Sequence, residues 1–352
     1  MSAARRIVIH RPGGYERLVI ERFEPGPRAP GTVRIDVAAI GVNYADCVAR
    51  MGLYASAAKY VGWPLVPGFE VAGVVREAGL DAHVQAGDEV IAVTRFGGYT
   101  TVLDVAAHQV FAKPARLSLA EAAGVPTVYA TAWYALFPLG AIRAGQRLLV
   151  HSAAGGVGGA ILQLAARAGC ETVGVVGRSD KVEVARALGA THVIDKSRGD
   201  LFARARALSP RGYDVVLDAN GAETLARSYE ALASPGRLVV YGFHSMLPRT
   251  GGKPSWPRLA VQWLRTPRFD PLRMTGENRS VLGFNLSYLF DERTLLAEAM
   301  GATLGGIERG ELRALPTHTF PFDRVADAHA ALESGRTTGK LVLTTDGGRA
   351  AP

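Results

Sequence analysis

The sequence predicts an α/β protein made of a β-rich domain and a doubly wound parallel-sheet domain. Three observations carry this. The first 124 residues alternate apolar and polar with a period of two, broken by glycine and proline every eight to twelve residues. From Val125 onward, short β-branched runs alternate with helical stretches. Between them, "RLLVHSAAGGVGGAILQLAARAG" (147–169) joins a strand, a glycine-rich turn and a helix without interruption.

The first domain is built from "GTVRIDVAAIGV", "FEVAGVVREAG", "GDEVIAV" and "GYTTVLDVAAHQVFAKP", whose alternation predicts a largely antiparallel sheet. The second continues through "ETVGVVG", "DKVEVARALGA", "HVID", "DLFARARALS", "YDVVLDA", "TLARSYEALASPG" and "RLVVYG", with "SVLGFNLSYL" as one more strand. A basic, proline-rich insertion over 246–279 separates the last two strands and predicts one amphipathic helix around Trp256 to Leu264. The tail adds a helix, the extended "LPTHTFPF", another helix and "GKLVLTT", a strand expected to return to the first domain. The expected division is therefore 1–124 with 288–352, and 125–287.

Charge and composition narrow the function. The chain has 352 residues, 48% hydrophobic and 20% charged, a globular profile. No apolar run approaches a membrane-spanning length, and the short N-terminal apolar run does not read as a secretory signal. Two cysteines, Cys47 and Cys170, exclude a disulfide framework and point to a reducing cytoplasm. The net charge of +8 is mostly arginine. With no aromatic-interleaved basic groove or recognition helix, it points to an anionic small molecule rather than nucleic acid.

That anion is a dinucleotide. A parallel strand feeding a glycine-rich turn opens a helix N-terminus to pyrophosphate. Gly155, Gly156 and Val157 are the loop positions that meet it, and Gly158 permits close packing of helix on strand. Ala153 stands where the strict fingerprint has its first glycine. Nineteen residues past Gly158, the position of the ribose-binding acid is Gly177. Arg178, Ser179 and Lys181 follow, donors suited to a 2′-phosphate, with Lys196 a further cation after the next strand. These residues favour NADPH.

Taken together, these motifs resemble the medium-chain dehydrogenase/reductase superfamily, specifically its zinc-independent quinone oxidoreductase branch. The resemblance spans almost the whole chain and rests on "GVNYADCVARMGLY", "PLVPGFEVAGVV", "AAGVPTVYATAWYAL", "YDVVLDANGAET" and "GKLVL". "NRSVLGFNLSYLFDE" and the preceding insertion look like the synaptic-vesicle amine-transport-protein-like subgroup. The resemblance implies a GroES-like catalytic domain beside a Rossmann domain. It also implies hydride transfer from NADPH to a quinone or an α,β-unsaturated carbonyl. A partner- or membrane-associated NADPH-binding role and a dedicated biosynthetic enoyl reductase are the alternatives.

In the zinc alcohol dehydrogenases of the superfamily, a cysteine and the histidine of Gly-His-Glu help hold catalytic zinc. Asn43 and Phe69 match them, and neither is a good zinc ligand, so no metal is expected. Alcohol oxidation without a Lewis acid is difficult, whereas an electron-poor acceptor needs none. By the same resemblance, Asn43 lies at the cleft floor, with Tyr44 and Tyr54 as candidate proton donors or pocket walls. Phe69 and Tyr54 line the substrate pocket, and Thr131 stands near the nicotinamide. Asn220, Gly242, Phe243, Phe284 and Leu286 follow strand ends, where ligands of parallel sheets bind. The edge strand "SVLGFNL" is expected to drive homodimerisation.

Overall fold

The structure, a computed structural model, describes residues 3–80 and 82–345. The chain divides into two compact units. The first comprises Met1–Thr127, Arg249–Pro254 and Ser287–Pro352; the second comprises Val128–Pro248 and Ser255–Leu286.

The first unit opens with β1 (Ala4–Val8) and β2 (Val19–Phe23), an antiparallel pair. Five strands follow: β3 (Thr32–Val42), β4 (Glu70–Glu77), β5 (Glu89–Val93), β6 (Val102–Ala106) and β7 (Val110–Ala112). The chain then builds the second unit's strands, β8 (Arg147–Val150), β9 (Glu171–Val176), β10 (His192–Asp195), β11 (Tyr213–Asp218), β12 (Leu232–Val240) and β13 (Arg279–Gly283). It returns to the first unit with β14 (Thr317–Pro321) and β15 (Lys340–Thr344). The returning β15 pairs antiparallel with β3, as the closing "GKLVLTT" predicts. The larger sheet of the first unit runs β14-β15-β3-β4-β5-β7, with β6 beside β3. Alternate residues of β3, β4 and β5 (Ile35, Val37, Val71, Val90 among them) face one core.

The second unit is a six-stranded sheet in the order β10-β9-β8-β11-β12-β13, all neighbours parallel. The order reverses between β8 and β11, which opens a ligand crevice beyond the carboxyl ends of those strands. Leu149, Val173, Val216 and Leu238 form its buried centre.

Three local readings need correction. The insertion holds two helices, Trp256–Arg265 and Pro271–Glu277. The second starts at Pro271, capped by the Asp270 side chain, and a run of prolines and arginines hides so short an element. The helix in "TLARSYEALASPG" ends at Glu230, because β12 already begins at Leu232. The strand in "SVLGFNLSYL" ends at Gly283, and Leu286 lies in a 3-10 turn.

Candidate active site

In the first unit, a polar cluster forms where β3 hands the chain to the helix Tyr44–Arg50. Asn43 is the residue between them and is 7% exposed. Its Nδ2 donates to Glu70 Oε1 at 2.8 Å, and its Oδ1 accepts from Lys340 Nζ. Lys340 also donates to the Val42 carbonyl at 3.0 Å and pairs with Glu70 Oε1 at 2.6 Å. The second carboxylate oxygen of Glu70 accepts from the Thr127 backbone N–H at 2.7 Å. Strands β15 and β4 thus supply one buried ion pair, with a carbonyl from the end of β3, and these hydrogen bonds offset the desolvation of two charges. The amide of Asn43 is fixed in orientation between a cation and a carboxylate.

Asp46, one turn later, is wholly buried. Its carboxylate accepts from the backbone N–H of Asn43 (2.8 Å) and of Gly68 (2.9 Å), and from the Tyr99 hydroxyl (3.2 Å). It ties the Asn43 turn to the Gly68-Phe69-Glu70 turn. Burial pushes its pKa up to about 7, against the opposing pull of the two N–H groups, Lys340 and Tyr99. A carboxyl that holds its proton more tightly when folded contributes stability below its ordinary range and loses it as pH rises toward 7. Unfolding free energies of the wild type, measured by urea denaturation, should therefore fall relative to Asp46→Asn between pH 4 and 8, by about 4 kcal/mol at most. Parallel pH profiles for the two proteins would refute this.

Phe69 is 3% exposed, its ring 4.9 Å from Phe96 and 6.0 Å from Tyr54. Tyr54 lies edge-on to Phe96 at 6.2 Å, so the three rings form one cluster. Phe96 has a φ of 66°, unusual for a bulky residue. Tyr44 begins the helix Tyr44–Arg50, and Tyr54 precedes the helix Ala55–Tyr60. Beneath them, the Tyr99 hydroxyl lies 3.1 Å from His329 Nε2, and His329 Nδ1 lies 3.4 Å from Cys47 Sγ. Cys47, His329 and Glu333 are the one group among the described residues whose donor atoms converge as metal ligands do. Glu333, however, is bonded to Arg50 Nη2 and the Tyr15 hydroxyl, both at 2.6 Å. Burial and the Arg50 charge push His329 down to about 3. A guanidinium already neutralises the carboxylate a dication would need.

In the second unit, β8 runs into the turn 151–155 and the helix Gly156–Arg167. Gly155 is its extended N-cap, with no side-chain cap and no acid in the first turn. The N–H groups of that first turn lack intrahelical acceptors and suit an anion. A Cβ on Gly158 would lie 2.3 Å from the Ser152 carbonyl, so only glycine lets the turn lie this close to the helix. Ser152 Oγ donates to Asn220 Oδ1 at 3.2 Å, joining this turn to the segment after β11. Asp218 holds that segment through the N–H groups of Asn220 and Gly221 and the hydroxyls of Thr224 and Ser228. Gly242 and Phe243 follow β12, and Phe243 is exposed. Phe284 packs on Tyr134 at 4.8 Å, and Thr131 is buried in the same helix as Tyr134. These loop and strand-end residues fit a dinucleotide: open amides, no competing acid, and a backbone that a Cβ would obstruct.

Beyond β9, Gly177 leads into Arg178 and Ser179. Ser179 Oγ donates to Asp195 Oδ2 at 2.5 Å and accepts from Arg198 Nε at 2.9 Å. The Lys196 side chain lies beside Gly177, 3.7 Å from where a Cβ would stand. Arg178 pairs with Asp180, and Lys181 is buried at the start of the next helix. The carboxylate of Asp195 is occupied by Ser179, by the N–H and hydroxyl of Ser197, and by Arg198. Arg178, Lys196 and Arg198 thus lie around Ser179.

The sequence of residues 29–126 matches the alcohol dehydrogenase GroES-like domain, and 188–343 match the family described as zinc-binding dehydrogenase. The synaptic vesicle membrane protein VAT-1 homolog of Danio rerio is 34% identical over 345 residues, covering 97% of this chain and 70% of the relative. The chain belongs to the medium-chain dehydrogenase/reductase superfamily. Among solved members, the Escherichia coli quinone oxidoreductase complexed with NADPH superposes with a TM-score of 0.83 at 28% identity, covering 97% of this chain and 99% of that one. CurK enoyl reductase superposes at 0.84 with 26% identity, over 98% and 100% of the two chains. The α/β architecture of this superfamily member, a GroES-like domain and a Rossmann domain, is the one its sequence predicts.

Within this superfamily member, the fold gathers Gly155, Gly156, Val157 and Asn220 at one end of the parallel sheet, and Gly177, Ser179 and Lys196 beside the next strand end. Sequence reasoning missed Lys340, His329, Glu333 and Arg198. Arg198 had a signal, two residues beyond Lys196. The others lie nearly three hundred residues from their partners, and no local pattern announces them.

Proposed function

We propose that this oxidoreductase uses NADPH to reduce a quinone or an α,β-unsaturated carbonyl without a catalytic metal. The observation that carries this is the state of the two positions matched to zinc ligands. Asn43 is an amide bonded to Glu70 and Lys340, and Phe69 is a ring packed on Phe96 and Tyr54. Neither supplies a thiolate, imidazole or carboxylate. Bound NADPH would supply the hydride.

The chain's own groups bind and orient. The amides of Gly156 and Val157 hold pyrophosphate at the helix N-terminus. Arg178, Ser179, Lys196 and Arg198 take the 2′-phosphate, with Lys181 behind them. Thr131, Gly242, Phe243, Phe284 and Leu286 serve the nicotinamide half. The remaining N–H of Asn43 Nδ2 donates to the carboxamide or to the substrate oxygen, where negative charge develops. Tyr54 and Phe69 present aromatic surface to a flat acceptor, and Tyr44 or Tyr54 donates the final proton unless solvent does. The protein should consume NADPH with a panel of quinones and enones after exhaustive chelation. Complete loss of turnover on chelation would overturn the reading.

A second reading is favoured by the helix Trp256–Arg265. It turns its apolar side outward: Trp256, Trp263 and Leu264 are 67%, 65% and 74% exposed, while Arg258 donates inward to the Ser245 carbonyl at 2.9 Å. No acid occurs from Ala231 to Phe269. Such a face suits an anionic membrane surface or a partner. A homodimer across the outer edge of β13 is the partner we propose first. No helix among the described residues is long and apolar enough to cross a membrane. Light scattering and co-sedimentation with phosphatidylserine vesicles, each on Trp263→Glu/Leu264→Glu, separate the occupants. Loss of dimer mass identifies a second copy, and loss of salt-sensitive pelleting identifies lipid. If neither changes, this face has no such role.

A further inference from the structure

We propose that the second unit carries a second anion site, distinct from the dinucleotide site, that takes a phosphorylated small molecule with an apolar body. The site is a groove of about 660 Å³ at the amino ends of β11, β12 and β13. The dinucleotide residues follow the carboxyl ends of β8 to β12, so the two sites lie a strand length apart, roughly 20 Å. A volume of this size suits a nucleotide-sized ligand.

The groove is lined by four arginines and one acid: Arg206, Arg211, Arg227, Arg279 and Glu230. Two of the arginines are held in place. Arg227 stacks on the Phe202 ring at 4.5 Å and pairs with Asp200 at 2.9 Å. Arg279 donates Nη2 to the Leu232 carbonyl at 2.7 Å and pairs through Nη1 with Glu277 at 3.3 Å, while its buried Nε has no partner. The other two, Arg206 and Arg211, are exposed, and neither has a hydrogen bond or ion pair among the described residues.

Their placement is built into the backbone. Arg206 stands on the helix Leu201–Leu208, and Arg211 on the turn that follows it. Gly212 in that turn has a φ of +87°, and a Cβ there would lie 2.6 to 2.8 Å from the backbone of Leu232 and Ala233. Only glycine lets the turn press onto the start of β12. Arg211, the preceding residue, lines the groove together with Arg279, whose guanidinium holds the same Leu232 carbonyl. Between the charges lie Tyr213, Ala231 and Leu232, an apolar floor. Guanidinium pairs bind phosphate oxygens bidentately. Solvated surface arginines need neither an apolar floor nor two anchored neighbours. Both features together select a phosphate ester over a bare anion.

The test uses the full chain saturated with NADPH, so that the dinucleotide site is occupied. Trinitrophenyl-ATP is titrated by fluorescence and then competed with inorganic tripolyphosphate. Saturable one-to-one binding is expected, weakened at least about ten-fold in Arg206→Glu/Arg211→Glu. That variant should keep the wild-type thermal midpoint and NADPH affinity, because neither side chain holds structure or cofactor. The proposal is overturned if NADPH abolishes probe binding, if the double charge reversal leaves it unchanged, or if binding never saturates.

Discussion

Replacing Glu333 with alanine is expected to lower the stability of the first unit by about 3–5 kcal/mol, a fall of roughly 10 °C in thermal midpoint. Arg50 and Glu333 are each 0% exposed at the side chain, and their ion pair is 2.6 Å long. Arg50 donates its other bond to the Gly252 carbonyl at 2.9 Å and stacks over the Tyr15 ring at 4.5 Å. The guanidinium has no exposure to bulk solvent, so removal of the carboxylate leaves a buried charge without its counterion. Burial and Glu333 together raise the Tyr15 pKa, keeping the phenol a donor to the same carboxylate. The cost is therefore that of an orphaned ion rather than the net worth of the pair. The double variant Arg50→Met/Glu333→Leu removes both charges and should recover most of the loss. Thermal unfolding followed by circular dichroism measures both. If Glu333→Ala unfolds within two degrees or so of the wild type, the pair is not what holds this region.

Reversing the two exposed cations beside Ser179, in Lys196→Glu/Arg198→Glu, is expected to raise the Kd for NADPH about 100-fold while leaving NADH within roughly three-fold. Each lost charge-assisted contact to a phosphate is worth about 1.5 kcal/mol or more, and two such losses give this ratio. Arg198 is held on Ser179 Oγ, and Lys196 lies against Gly177, where an NAD enzyme would carry its ribose acid. Asp195 is adjacent, but its oxygens are taken by Ser179, Ser197 and Arg198. It therefore leaves room for a 2′-phosphate rather than repelling it. Fluorescence titration with both dinucleotides separates the outcomes. An equal loss for NADH would show that the variant damaged the loop and not a phosphate contact.

Much of this protein is legible without coordinates. The period of two in the first 124 residues and the strand-helix rhythm after them are local properties. A pleated strand and a parallel βα unit each write their pattern into consecutive residues. The glycine turn after β8 is readable for the same reason: its requirement for a close backbone approach falls on a single position, Gly158. Asn43 and Phe69 are legible through what they lack. A side chain that cannot ligate zinc announces that in its chemistry, wherever it lies in space.

Tertiary structure decided the rest. Lys340 is the last example a sequence reader would choose, a lysine at the start of a closing strand. Yet β15 lies against β3, and that pairing delivers its ammonium to Asn43 and Glu70. His329 and Glu333 reach Cys47 and Arg50 because their helix packs beside the helix Tyr44–Arg50 within one unit. The outward apolar face of Trp256–Arg265 reads in the sequence as an ordinary amphipathic helix. Only the placement of Arg258 toward Ser245 shows which face was turned out. Backbone pattern depends on neighbours in the chain and can be read there. The partners of a buried charge are chosen by which elements pack together, and that choice exists only in three dimensions.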